Sequence, residues 1–134
     1  MATEILVNDG GAPARILPYI AGSTITAGKL VMMYADGQVD HNTTSGSKVL
    51  GVALTAATTG NICNVISGHG VQLNVYTSGS NIGIGDELVG AAGTSLAGML
   101  VERSGATGTH QGQVLAIALE TGSATAGLTK VQVI

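Results

Sequence analysis

The fold is decided by a stretch that the chain carries twice: GSTITAGKLV at positions 22–31 returns as GSNIGIGDELV at positions 79–89. The Gly-Ser pair, the isoleucine and the later glycine keep their spacing, and Leu-Val follows in the second copy after one inserted residue. A glycine shortly before an apolar pair is typical of a tight turn that leads into a strand. The stretch therefore predicts the same turn and strand in each half of the chain.

Two further blocks repeat in the same order. They are VLGVAL at 49–54 with VLAIAL at 114–119, and NVI at 64–66 with QVI at 132–134. The spacing grows only by insertions between the blocks, as in a duplication. We predict two copies of one supersecondary unit, 22–66 and 79–134, within a single domain. Two repeats are too few for a solenoid.

Each unit has the pattern of β-structure. Residues 71–76, VQLNVY, alternate apolar and polar side chains, which is the period of a half-buried strand. Residues 30–34 and 38–41 flank Ala-Asp-Gly, a turn signal between the arms of a hairpin. Turn residues interrupt the chain at short intervals. The sequence predicts an all-β protein, a compact β-sandwich or β-barrel built from two duplicated β units.

Residues 1–21 have no counterpart in the repeated blocks. Residues 3–8 are expected to form a strand or an arm, and a Gly-rich break at 9–13 separates them from a second extended piece at 15–20. Pro18 interrupts that piece and favours a sheet edge, because proline cannot donate to a ladder. Two interpretations stay open: this N-terminal extended segment contacts a neighbouring molecule, or it is an edge strand of the chain's own sheet.

Composition excludes several classes of protein. The 134 residues include 21 glycines, three tyrosines and no Phe or Trp, and the five Lys and Arg residues are scattered singly in a net charge of −3. Nucleic-acid binding uses clustered basic residues, commonly with stacking aromatics, so we expect no nucleic-acid partner. Apolar runs are too short for a membrane span, and the acidic start does not resemble a signal peptide, so we expect a cytosolic product with no membrane partner.

The residues that usually bind metals or attack substrates are dispersed. His41, His69 and His110 lie among turn-forming residues in none of the spacings that bind zinc, and solvated loop histidines are the expectation. Cys63 has no basic neighbour in sequence to lower its pKa, so a structural thiol is expected. The sequence predicts no catalytic, metal or cofactor site.

Two other patterns also fall short of a site. The segment 22–30 has five residues between its glycines, where a phosphate-binding P-loop has four, and Leu30 stands where a P-loop has Ser or Thr. Asp86, Glu87 and Glu102 are too dispersed for a carboxylate pair. An enzyme would require the fold to bring these acids together with a histidine.

The order of blocks resembles that of the small tailed-bacteriophage capsid decoration (cement) proteins. The shared order is a glycine turn before Leu-Val, then Val-Leu-Gly-Val-Ala-Leu, then Thr-Gly-Asn and a Val-Ile strand, and it covers roughly residues 20–134. Ala116 stands in the second copy where the first has Gly51. The resemblance implies a β-rich, non-enzymatic homotrimer, made in the host cytoplasm, that binds the major capsid protein on the outside of the virion.

The segment outside the repeat is the candidate contact with the shell. Ile5, Leu6 and Val7 are expected to offer an addable strand, with Arg15 and Tyr19 as anchors of a kind enriched at interfaces. Two alternative functions remain beside the decoration protein. One is a phage surface binding module, such as a head fibre or a glycan-binding β-domain; the other is an enzyme or enzyme subunit.

Overall fold

A computed structural model describes residues 5–8, 14–43, 49–78, 82–91, 96–103, 114–122 and 127–134. These residues contain eleven strands and no helix, so the predicted all-β fold is confirmed. Correspondingly, no helix in the described part of the chain is long and apolar enough to cross a membrane. The strands lie in two sheets, and each sheet closes into a five-stranded barrel.

The first barrel contains five strands in the spatial order β2-β4-β3-β5-β6. The strands are β2 (Arg15–Ala21), β3 (Leu30–Ala35), β4 (Gln38–His41), β5 (Val49–Ala53) and β6 (Ile62–Ser67). The predicted hairpin is the antiparallel pair β3–β4, joined at Asp36-Gly37. The barrel closes where β2 pairs with β6 on one side and, at its C-terminal end, with β4 on the other.

The second barrel repeats this topology strand for strand. Its strands are β7 (Gln72–Thr77), β8 (Glu87–Gly90), β9 (Leu100–Glu102), β10 (Ala116–Ala118) and β11 (Gly127–Val133). In each barrel the first strand pairs in parallel with the third, and every other pairing is antiparallel. The duplication is therefore structural as well as sequential, and it relates β2 to β7.

The parallel pairs fix which residues of β2 and β7 are equivalent. Ala21 lies opposite Val39, and Gly22 N–H donates to the Val39 carbonyl (2.8 Å). In the second barrel Thr77 lies opposite Leu100, and Ser78 N–H donates to the Leu100 carbonyl (3.0 Å). Ala21 is thus equivalent to Thr77. Counting back along each strand, Ile20 matches Tyr76 and Leu17 matches Leu73.

The structure differs from the expected boundary of the first unit. Residues 15–21, expected outside the repeat, form the first strand of the first barrel, and the predicted units 22–66 and 79–134 each begin after such a strand. Pro18 faces Asn64 of β6, while β4 reaches β2 only at Ile20 and Ala21. Proline is tolerated because no described strand requires its missing N–H on that side.

The N-terminal strand β1 (Leu6–Asn8) belongs to the second barrel. Leu6 lies opposite Leu73 of β7, and Asn74 N–H donates to the Ile5 carbonyl (2.8 Å). Ile5 is buried in the core. Of the two interpretations of residues 3–8, the structure therefore supports the edge strand of the chain's own sheet for the residues it describes.

The two barrels share one apolar core. Leu30, Val52 and Ile66 of the first barrel pack in one cluster with residues of the second. The large, fully buried members from the second barrel and its loops are Val71, Leu73, Val75, Ile82, Leu88, Leu100 and Val131. Burying each such side chain contributes roughly 1.5–3 kcal/mol relative to exposure. Smaller clusters fill the rest of each barrel.

Candidate functional site

The groups that could carry chemistry are separated in the structure. No cluster of three or more His, Cys, Asp or Glu side chains occurs among the described residues. Glu87 pairs with Arg103 (3.1 Å), Asp86 accepts the Gly83 N–H (2.7 Å), and Glu102 is exposed at the end of β9. Each acid is thus engaged locally or solvated, and the three do not form one constellation.

Cys63 lies in the core of the first barrel. Its side chain is fully buried, and the Sγ atom lies 3.5 Å from the Thr55 carbonyl oxygen. Burial raises the pKa of the Cys63 thiol, which lowers the fraction of reactive thiolate. Its environment is that of the structural thiol that we expected.

The histidines do not share one environment. His69 is exposed in a turn, as predicted, and His110 lies outside the described residues. His41 corrects the expectation of a loop histidine, since it ends β4, is half-buried, and its Nε2 atom accepts the Thr26 N–H (3.1 Å). This bond requires a neutral imidazole, because the imidazolium has no acceptor.

The His41 contact predicts a loss of stability in acid. Burial and, to a lesser extent, Lys29 lower the pKa of His41 from 6.5, and Asp40 opposes them. The unfolded chain then binds the proton more readily than the folded one, so the contribution of His41 is complete above pH 6.5 and is lost as pH falls through the folded pKa.

His41→Gln is the test, because the glutamine amide oxygen can accept the Thr26 N–H without titrating. We expect the free energy of unfolding of the wild type to fall more steeply than that of the variant below pH 6.5, as measured by urea titration at a series of pH values. Parallel curves for the two proteins would contradict the assignment.

The five predicted shell-contact residues do not form one free strand. Ile5 is buried, Leu6 packs against the core, and β1 pairs with β7 of the same chain. Tyr19 is half-buried against the core of the first barrel. Val7 and Arg15 are exposed.

An exposed apolar surface on the first barrel was not anticipated from the sequence. Large apolar side chains stand in solvent on β2, β3 and β6, and they are Ile16, Leu17, Ile20, Met33, Tyr34 and Ile62. In the equivalent strand of the second barrel, β7, Leu73 is fully buried in the core that the barrels share, whereas its counterpart Leu17 is 44% exposed. The first barrel therefore exposes an apolar side chain, Leu17, whose counterpart in the second barrel is inside the molecule.

The fold defines a class, a β protein of two duplicated five-stranded barrels. It is similar to the N base of the head fibre gp8.5 of bacteriophage phi29, with a TM-score of 0.67 and 18% identity over 91% of this chain and 95% of that chain. It is also similar to a chain from the capsid of Myoviridae phage XM1, with a TM-score of 0.63 and 16% identity over 98% and 93%. No family model and no curated protein matches the sequence.

Proposed function

We propose that this chain is a structural protein of a tailed-phage head, a decoration protein that binds the outside of the shell as a homotrimer. The likeness of the entire two-barrel fold to two phage-head proteins carries the proposal, because it covers more than nine tenths of this chain in both comparisons. The engaged or solvated acids and the buried thiol favour a binding role over an enzymatic one.

The major capsid protein is the proposed partner, at positions where three shell subunits or three capsomers meet. A threefold protein engages three equivalent contacts there, and each contact can be weak, because the second and third become intramolecular once the first has formed. Binding to the assembled, expanded lattice and not to loose subunits would stabilise the shell by mass action. Of the predicted contact residues, the exposed pair Val7 and Arg15 stays our proposal for the shell contact.

A base for a head fibre is the second candidate, since one of the similar proteins is such a base. Both functions place the chain on the head exterior. They differ in whether another segment or protein projects from it, so electron micrographs of native heads would distinguish them. Smooth heads support a decoration protein, and heads with projecting fibres support the fibre base.

Binding to bare heads tests the proposal. Expanded empty heads prepared without this protein are mixed with the purified chain and sedimented, and unexpanded heads serve as the comparison. We expect saturable binding to expanded heads, a higher temperature of shell disruption, and weaker binding of Arg15→Glu. Failure of the wild-type chain to co-sediment with expanded heads would contradict the proposed function.

A further inference from the structure

Two turns with nearly the same glycine φ angle have different surroundings. Gly28 and Gly85 occupy the same place in the repeat and have φ angles of +89° and +87°. A Cβ atom added at Gly28 would lie 2.9 Å from Leu128, 3.1 Å from Ile5 and 3.3 Å from Tyr76, whereas no described residue lies within 4 Å of the corresponding position at Gly85. The first turn is docked on the second barrel, and the second turn has no such contact with any described residue.

The seat of the docked turn is a pair of side chains on adjacent strands. Tyr76 of β7 lies opposite Leu128 of β11. Tyr76 N–H donates to the Gly28 carbonyl (2.8 Å), and the Lys29 ammonium lies 5.5 Å from the centre of the Tyr76 ring. This turn and this seat, together with the shared core, hold the two barrels side by side.

The first barrel has an equivalent pair of side chains, and it is partly exposed. Ile20 is the counterpart of Tyr76, and Ile62, which lies opposite Ile20 on β6, is the counterpart of Leu128. Ile20 is 38% exposed and Ile62 is 59% exposed, although the counterpart Leu128 packs against the core. The pair is thus partly exposed to solvent in the first barrel, whereas the equivalent pair of the second barrel contacts the Gly28 turn.

The free turn carries the most exposed large apolar side chain of the described residues. Ile84, which precedes Gly85, is 75% exposed. Its counterpart in the repeat is Ala27, which packs against the shared core. Among the described residues, the Ile84 turn makes no corresponding contact with the first barrel. The two barrels are therefore related head to tail, and each molecule keeps one undocked turn and one exposed Ile20–Ile62 pair in the part of the chain that the structure describes.

We infer that the Ile84 turn of one copy docks on the Ile20–Ile62 seat of a second copy, continuing between molecules the contact that joins the barrels within one. This inference rests on the homotrimer of the proposed function and identifies its interface. Head-to-tail contacts close into rings when the rotation permits. Three copies would form a ring of six barrels in which internal and intermolecular contacts alternate.

The intermolecular contact is a side-chain contact. Ile20 N–H already donates to the Gly37 carbonyl (3.2 Å), so it cannot form the main-chain bond that Tyr76 makes to Gly28. The larger Ile84 in place of Ala27 compensates with apolar area, and burying one isoleucine side chain is worth about tenfold or more in affinity. Closure of the ring strengthens each weak contact, because the last one forms within the assembly.

Three variants test the interface by sedimentation velocity of the full chain. Ile84→Glu places a charge on the docking turn, and Ile62→Glu places a charge on the seat. Ile134→Glu is the matched control, because Ile134 is also exposed (55%) but lies after β11, at the other end of that strand from Leu128. We expect trimers for the wild type and the control, and monomers for the other two, with association weakened about a hundredfold or more because a buried charge opposes docking.

Mixing the two monomeric variants gives the sharpest result. Ile84→Glu keeps an intact seat and Ile62→Glu keeps an intact turn, so a head-to-tail interface predicts a one-to-one heterodimer that cannot close into a trimer. A self-complementary interface would give no such rescue. Unchanged thermal unfolding shows that each variant folds, and Ile84→Ser with Ile62→Ser provides an uncharged pair.

Two results would overturn the inference: a wild-type chain that is monomeric at about 100 μM, or Ile84→Glu and Ile62→Glu variants that remain trimers. A monomer that still saturates expanded heads would leave the decoration role standing and contradict the homotrimer. A trimer that binds no heads would contradict the proposed function and leave the interface in place.

Discussion

Replacing Leu73 by alanine is expected to lower the free energy of unfolding by about 2–5 kcal/mol. Leu73 is fully buried in the core that the two barrels share, and both β1 and β11 pair with β7 beside it. Truncation removes apolar contact and leaves a cavity that a closed barrel collapses only in part. Urea or guanidinium titration measures the loss.

The duplicate supplies a matched control. Leu17 is the equivalent leucine of the first barrel, and it is 44% exposed. Leu17→Ala therefore removes the same atoms from a site that is already partly solvated, and we expect a loss below half of that for Leu73→Ala. Equal losses would contradict the assignment of Leu73 to the shared core.

Replacing Gly28 by alanine is the second change with a large expected effect. The φ of +89° disfavours any side chain with a Cβ atom, and the added methyl group would lie within 3.3 Å of Leu128, Ile5 and Tyr76. Backbone strain is thus combined with overpacking where the two barrels meet. We expect the free energy of unfolding to fall by about 1–3 kcal/mol more than strain alone would cause.

Gly85→Ala measures the strain alone. Gly85 has nearly the same φ, and no residue in the described part of the chain lies within 4 Å of its Cβ position. Both changes are made in the Ile62→Glu background, so that association between copies does not contribute. The difference between the two variants then reports the docking of the first turn on the second barrel, and a difference near zero would show that this turn is not under packing constraint.

The sequence predicted the repeated parts of the fold well. The blocks at 22–31 and 79–89 did mark equivalent turns and strands, and the alternation at 71–76 correctly placed Leu73 and Val75 in the core. These features can be predicted because turn type and side-chain alternation depend on residues that are adjacent in sequence. Which strands pair, and that each sheet closes into a barrel, depends on contacts distant in the chain.

The first strand of each unit was the main element that sequence comparison missed. RILPYIA in β2 and QLNVYT in β7 share few residues. Pro18 lies where no described strand needs an N–H donor from β2, whereas at the equivalent position of β7 the Asn74 N–H donates to the Ile5 carbonyl. Their equivalence appears only in the pairing to Val39 and Leu100. An apolar segment such as residues 5–7 has the same pattern whether it pairs within its own chain or with a partner.

The apolar–polar pattern of the sequence also did not predict that Ile20 and Ile62 are exposed. The counterparts of Ile20 and Ile62, Tyr76 and Leu128, are half-buried beneath the Gly28 turn. Only the structure shows that no described turn lies on Ile20 and Ile62 in the same way. A signal did exist at Ile84, because an isoleucine between two glycines of a turn replaces the small Ala27 of the other repeat. A large apolar residue in a solvent-facing turn indicates a contact that the monomer does not provide.

Cryo-electron microscopy of bare expanded heads saturated with the purified chain tests binding to the shell and the trimer interface together. We expect added density on the outside of the shell at threefold positions, with six barrels in each feature and the Ile84 turn of one copy against Ile20 and Ile62 of the next. Heads that carry no added density after saturation would contradict it.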